Sequence, residues 1–310
     1  MSTPFGPTRE SCPETGCSYL RLTPDPSGPA GVVAFLDGLG LDGSGYGGFL
    51  EGLAEKPAFR HRYPYLTHLH VAPTTPGFGA PVPGQPPLSM AEQAHTLARF
   101  LERRLEEAPG ELVLYGFSFG SDLAVDLLEA CTASPRLGAA LRRVVLTEPN
   151  THAGSCFFSS RIAEAWEAWK RTPRGQPPHE LFRKAVLLPH AGGVIPRDRL
   201  DDITRYCQDL QSKDWAQLAA SSREISADPA ARIRRLLQHT PAFPQACVEV
   251  ILCAPTDLEA LLDLVADAPV EAGLPRVIHT PQAGHFHHAK PRGILENLRG
   301  HAMEVPLPRA

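Results

Sequence analysis

Short apolar runs rich in β-branched residues alternate with amphipathic helical patterns along this chain, and that alternation limits how it can fold more than any other feature. The runs are residues 31–36, 66–72, 111–115, 143–147, 248–253 and 276–280. In stretches such as 31–36, 112–115 and 144–146 the apolar residues are consecutive rather than at every second position, as in strands buried on both faces. Between them, Ser89-Met-Ala-Glu92 has the spacing of a capping box. Leu97, Leu101 and Leu105 then follow on one helical face until Pro109-Gly110 stops it. A second helix is expected from Ser121 to Cys131, directly after a strand. Strand, helix, strand, helix in this order predicts an α/β protein, with a mostly parallel sheet and helices on both faces.

The alternation breaks after Asn150. From Ala153 to Phe243 no strand pattern occurs, but helical ones do: Ile162, Trp166 and Trp169 share one face, and Leu200, Ile203, Cys207 and Leu210 share another. Asp228-Pro229 reads as an N-cap with proline at the first helical position, leading to Ile233, Leu236 and Leu237. The expected organisation is a core made of residues 1–152 and 245–310, with a helical cap at 153–244 inserted into it. Trp166, Trp169 and Trp215 all fall in the cap. Trp166 and Trp169 are candidates for lining a substrate pocket, with internal packing of the cap as the competing use.

Composition removes several classes of function. With 310 residues, 43 % hydrophobic and 21 % charged, the chain can bury a core and is not of the disordered type. Its 30 basic and 34 acidic residues show no basic surplus for phosphate contacts, so nucleic acid is not an expected partner. No run approaches the ~18 apolar residues of a membrane span, so no membrane association is expected either. The opening MSTPFGPTRESCPETG has neither a basic leader nor an apolar stretch, which makes the cytoplasm the expected location. Seven cysteines lack the spacing of a zinc knuckle or a redox pair and read as reduced thiols.

The strongest chemical signal is Gly116-Phe117-Ser118-Phe119-Gly120, between the apolar strand and the helix from Ser121. A serine squeezed between glycines at a strand-to-helix turn sits on a strained backbone with its hydroxyl thrust out. The helix N-terminus below it supplies free N–H groups and a positive dipole end. A serine nucleophile needs a base, and His285 follows the strand at 276–280 on a loop at the same edge of the sheet. His287 and His288 read as bystanders. Two carboxylates compete to orient the imidazole. Asp257, after the strand at 248–253, is the first choice, and Glu148, after the strand at 143–147, is the alternative. The histidine cluster has no carboxylates or cysteines at metal-ligand spacing, so no metal is expected. Gly38-Leu-Gly-Leu-Asp-Gly43 is a literal GxGxxG, but Gly45, Gly47 and Gly48 continue the run where a helix should open. No acidic residue ends the following strand at Ala72-Pro73 to hold a ribose. No nucleotide cofactor is expected. The same loop can instead aim a backbone N–H at a developing oxyanion, with Leu39 as one donor and Phe119 as the other.

On the Asp37-Gly38-Leu39-Gly40 turn, the loop ending Pro76-Gly-Phe-Gly79, the Gly116–Gly120 turn, Asp257 and Gly284-His285, the chain resembles the α/β-hydrolase superfamily over nearly its whole length. The resemblance implies Ser118 as nucleophile, Asp257 as acid and His285 as base, with Leu39 and Phe119 at the oxyanion hole. Many members carry histidine where Asp37 stands. The Ser-Phe-Gly core is similar to that of assembly-line thioesterases, some of which place the acid after the earlier strand, where Glu148 lies. The implied function is a serine hydrolase or acyltransferase acting on an ester, thioester or amide, its partner a small-molecule acyl substrate, free or carrier-bound. Two other classes compete: a lyase, isomerase or cyclase using His285 as base, and a non-catalytic small-molecule receptor.

Overall fold

A computed structural model of the chain describes residues 6–23, 25, 28–79, 84–172, 175–188, 197–269, 273–300 and 305. Eight strands form one sheet: β1 (Thr8–Ser11), β2 (Ser18–Leu22), β3 (Gly31–Leu36), β4 (Leu69–Pro73), β5 (Glu111–Phe117), β6 (Leu141–Thr147), β7 (Cys247–Leu252) and β8 (Arg276–His279). Their order across the sheet is β1-β2-β4-β3-β5-β6-β7-β8. From β4 to β8 all neighbours are parallel, while β1 and β2 form an antiparallel hairpin on the β4 edge. That hairpin is absent from the sequence reading because β1, Thr-Arg-Glu-Ser, has no apolar residue to mark it and lies exposed at the edge.

The helices are α1 (Gly47–Glu55), α2 (Pro57–Arg60), α3 (Met90–Glu107), α4 (Phe119–Ala133), α5 (Pro135–Ala140), α6 (Phe157–Arg171), α7 (Pro178–Leu187), α8 (Arg197–Asp209), α9 (Trp215–Ala227), α10 (Pro229–His239), α11 (Pro255–Ala266) and α12 (Pro291–Arg299). The two-residue period of β3 splits its fully buried side chains between two cores. Val32, Ala34 and Leu36 pack with α3 and α4 residues such as Leu97 and Leu127, whereas Val33 and Phe35 pack with α1 and α12 residues such as Phe49 and Ile294. Helices therefore cover both faces of the sheet, as the strand–helix alternation predicts. The Ser89 capping box forms: its hydroxyl accepts from the Glu92 N–H at 3.2 Å, and the Glu92 carboxylate accepts from the Ser89 N–H at 2.8 Å. Asp228 likewise caps α10, accepting from the Ala231 N–H at 3.0 Å.

Between β6 and β7 every described regular element is helical. Helix α6 packs on α7 and α9, and α7 packs on α8. Helix α10 behaves differently, lying against α4 and α11, the helices that cover the sheet. No helix among the described residues is long and apolar enough to cross a membrane.

Candidate active site

The site is assembled at the C-terminal ends of the parallel strands, where loops can carry side chains over the sheet edge. Strand β5 runs into α4 through Ser118, whose φ of +51° and ψ of −120° are held in a region that non-glycine residues rarely occupy. The glycines on either side make this possible. A Cβ on Gly120 would lie 2.0 Å from the carbonyl oxygen of Leu36, and one on Gly116 would lie 2.7 Å from that of Gly120. The Ser118 N–H is tied to the Thr147 carbonyl at 2.8 Å, which fixes the turn to β6. Phe119 opens α4, so its N–H belongs to the helix N-terminus.

His285 follows β8 and its ring packs 5.1 Å, centroid to centroid, from Phe117, the residue before Ser118. The carboxylate at His285 Nδ1 is that of Glu148, with Oε2 at 3.4 Å. Glu148 lies directly after β6 with a φ of +52°, and its N–H donates to the Ile251 carbonyl of β7. Its other oxygen accepts the Cys253 N–H at 2.7 Å. Burial pushes the Glu148 carboxyl up, but the hydrogen bond and charge of His285, together with His288 and Cys253, outweigh it and hold the group below the usual carboxylate range.

The expectation that Asp257 holds His285 is therefore corrected in the geometry. Asp257 is the third residue of α11, and its Oδ1 receives the Thr151 hydroxyl at 3.2 Å and stands 3.1 Å from His152 Nε2. The Gly154 N–H donates to His152 Nδ1 at 2.8 Å. Burial and the neighbouring Glu148 push the Asp257 carboxyl up. Both carboxylates line a cavity of about 430 Å³ whose walls include His285, Phe157 and Phe158. Trp166 and Trp169 are not among its lining residues. Three positions apart on α6, the two indoles stack on each other with centroids 4.8 Å apart.

Two residues near the site were not singled out by sequence. His288, read above as a bystander, is buried with Nε2 3.7 Å from Glu148 Oε1, and the Asn297 amide meets its Nδ1 at 3.0 Å. Asp122, in the first turn of α4, receives the Asn150 backbone N–H at 3.3 Å and the Asn150 side-chain amide, clamping the loop that carries Glu148. Burial pushes Asp122 up to about 6. His287 pairs with Glu296 at 3.3 Å on the far side.

The glycine-rich loop after β3 is organised by Asp37. Its carboxyl accepts the Gly38 N–H at 2.8 Å and the Gly43 N–H at 3.2 Å. Full burial pushes Asp37 up to about 7 against those two hydrogen bonds. The folded protein therefore holds this proton more tightly than the unfolded chain does, and Asp37 makes stability fall as pH rises from about 4 towards 7, by at most ~1.4 kcal/mol per pH unit. Asp37→Asn keeps one acceptor oxygen and abolishes the titration. Thermal melts across that range should show a flatter pH dependence in the variant than in the wild type. Parallel curves would mean that Asp37 does not titrate there.

The sequence profile of the alpha/beta hydrolase family matches residues 35–296, and the chain belongs to that family. No curated protein sequence matches it. Among solved structures it is similar to a thermophilic esterase from Thermogutta terrifontis, with 16 % identity, a TM-score of 0.58, and coverage of 94 % of this chain and 96 % of that one. It is also similar to the enol-lactonase from Burkholderia xenovorans LB400, with 16 % identity, a TM-score of 0.57, and coverage of 91 % and 94 %. A third is an AqdC variant described in ring-cleavage of the Pseudomonas quinolone signal, with 16 % identity, a TM-score of 0.61, and coverage of 94 % and 97 %. At these identities the likeness is one of fold.

Proposed function

We propose that the chain is a serine hydrolase that forms an acyl-enzyme on Ser118, with His285 as general base and acid and Glu148 as the carboxylate that orients it. The observation that carries this reading is the 3.4 Å approach of His285 Nδ1 to buried Glu148, beside a serine at φ +51°. Such an approach leaves Nε2 to take the Ser118 proton as Oγ attacks an acyl carbonyl. The Nδ1–H stays on the imidazole, donating to the Glu148 carboxylate, which stabilises the imidazolium, and the proton taken by Nε2 passes on to the leaving group. Water then repeats the sequence and releases the acid. The backbone N–H groups of Leu39 and Phe119 are the proposed donors to the tetrahedral oxyanion, a role worth roughly 3 kcal/mol per donor in comparable sites. Helices α6 to α9 act as the cap. Phe157 and Phe158, on the first turn of α6, favour an uncharged apolar or aromatic acyl group, on an ester, thioester or amide.

The test is direct. Incubation with a fluorophosphonate should leave one adduct, on the peptide containing Ser118, and Ser118→Ala should remove it. A folded wild-type protein with no adduct would sink the nucleophile assignment and leave His285 as a base for lyase or isomerase chemistry.

A further inference from the structure

The Tyr206 hydroxyl, on α8, donates a buried hydrogen bond of 2.8 Å to the carbonyl oxygen of Leu39. We infer that Tyr206 is a positioning residue for the oxyanion loop, through which cap helix α8 sets the geometry of the hole; this rests on the reading of Leu39 as an oxyanion donor.

The backbone of the loop shows what the bond controls. The Leu41 N–H donates to the Gly38 carbonyl at 3.0 Å, closing a four-residue turn, and Gly40 at its third position has a φ of +75°. That value belongs to a type II turn, which differs from type I by rotation of the central peptide. The central peptide here joins Leu39 to Gly40, and its carbonyl is the one Tyr206 holds. Asp37 fixes the other flank by accepting the Gly38 N–H. The backbone is thus pinned on both sides of Leu39, from the sheet by a carboxyl and from α8 by a phenol. The tip is packed as well: a Cβ on Gly40 would meet Leu210 at 2.4 Å and Leu218 at 2.7 Å, side chains just after α8 and on α9.

Tyr206 is itself held firmly. Its ring lies 5.5 Å from Phe158, 6.1 Å from Phe182 and 5.9 Å from Phe286, the neighbour of the base. Burial pushes the phenol above its usual range, so the hydroxyl keeps its proton and remains a donor. An oxyanion donor is effective only if it is oriented before charge develops, since reorganisation during the reaction is added to the barrier. Tyr206 acts on that orientation from one peptide away: the Leu39 N–H lies in the Gly38–Leu39 peptide, held through the Gly38 carbonyl by the Leu41 N–H, and Tyr206 fixes the adjoining Leu39–Gly40 peptide.

Tyr206→Phe removes one oxygen and keeps the ring in its aromatic cluster. On p-nitrophenyl esters the variant should lose about tenfold in kcat with KM within about twofold, less than the ~10²–10³ lost when an oxyanion donor is deleted outright. An aryl trifluoromethyl ketone separates positioning from packing. Ser118 Oγ adds to its carbonyl carbon, the serine proton goes to His285, and the new oxyanion occupies the hole. Its affinity should fall by the same factor as kcat/KM. Unchanged kcat and ketone affinity would overturn the proposal, and so would a variant that fails to fold, because the hydroxyl would then be a structural tie alone. Wild type that takes no fluorophosphonate adduct removes the hydrolase reading and this role together. Wild type that is labelled, with Tyr206→Phe reacting at the same rate, removes the role of Tyr206 only.

Discussion

Glu148→Gln should lower kcat by about 10⁴, the loss that amide replacement of a triad carboxylate brings by favouring the wrong imidazole tautomer. The substitution keeps the size of a side chain that accepts the Cys253 N–H and sits within 3.7 Å of His288, so the fold should survive. Asp257→Asn should cost far less, because Asp257 meets Thr151 and His152 rather than His285. Turnover of both variants on one ester decides between them. A collapse in Asp257→Asn with a mild effect in Glu148→Gln would reverse the assignment and require the α11 N-terminus to move in the bound state.

Gly120→Ala should be severely destabilising and should also cost the site its serine geometry. Its Cβ would lie 2.0 Å from the Leu36 carbonyl oxygen and 2.4 Å from the carbonyl carbon. Both atoms are backbone at the end of a central strand, so neither can swing aside as a flexible side chain would. Overpacking a core with mobile neighbours costs ~1–3 kcal/mol, and a backbone collision of this depth should reach or exceed the top of that range. Relief requires α4 to lift from β3, which pulls Ser118 from its turn and disturbs Asp37, the residue after Leu36. A lower melting temperature together with loss of fluorophosphonate labelling is expected. A variant that melts with the wild type and is labelled normally would show that the elbow tolerates a wider spacing than its geometry implies.

The parallel sheet was legible because burial on both faces leaves continuous apolar runs, and because Pro109-Gly110 and Asp228-Pro229 punctuate the helices. The elbow was legible for a related reason: its glycines answer backbone contacts too close for any side chain. The carboxylate was legible only as one of two candidates, with Asp257 put first and Glu148 second. Glu148 reaches His285 from a left-handed backbone that a non-glycine residue does not advertise in sequence. Asp257 looked right by strand order alone. A signal against it was present in Ala254-Pro255, since proline at the first helical position starts α11 with only two residues between it and β7. That leaves Asp257 inside a helical turn instead of on a loop able to bend towards the histidine. His288 was hidden because its role depends on burial against Glu148, which neighbours in sequence cannot reveal.

The sheet pairs β6 with β7 in register, Thr147 opposite Ile251, although the whole helical segment lies between them in the chain. Loop-closure entropy grows only with the logarithm of length, about 0.6 kcal/mol per doubling, so the insertion adds little to the equilibrium cost of the fold. Its effect is on timing. Non-local parallel pairing is slow to form, because the chain must be ordered before the contact rewards it. In the proposed mechanism the nucleophile Ser118, the carboxylate Glu148 and the oxyanion donors Leu39 and Phe119 precede the gap, and the base His285 follows it. As the chain emerges from its N-terminus, strands β1 to β6 can assemble with the serine already in its turn, while the base has yet to be made. On the proposed mechanism the Ser118 alcohol therefore lacks its base until β7 and β8 have docked, and a chain interrupted before residue 285 should show almost none of the activity of the whole one.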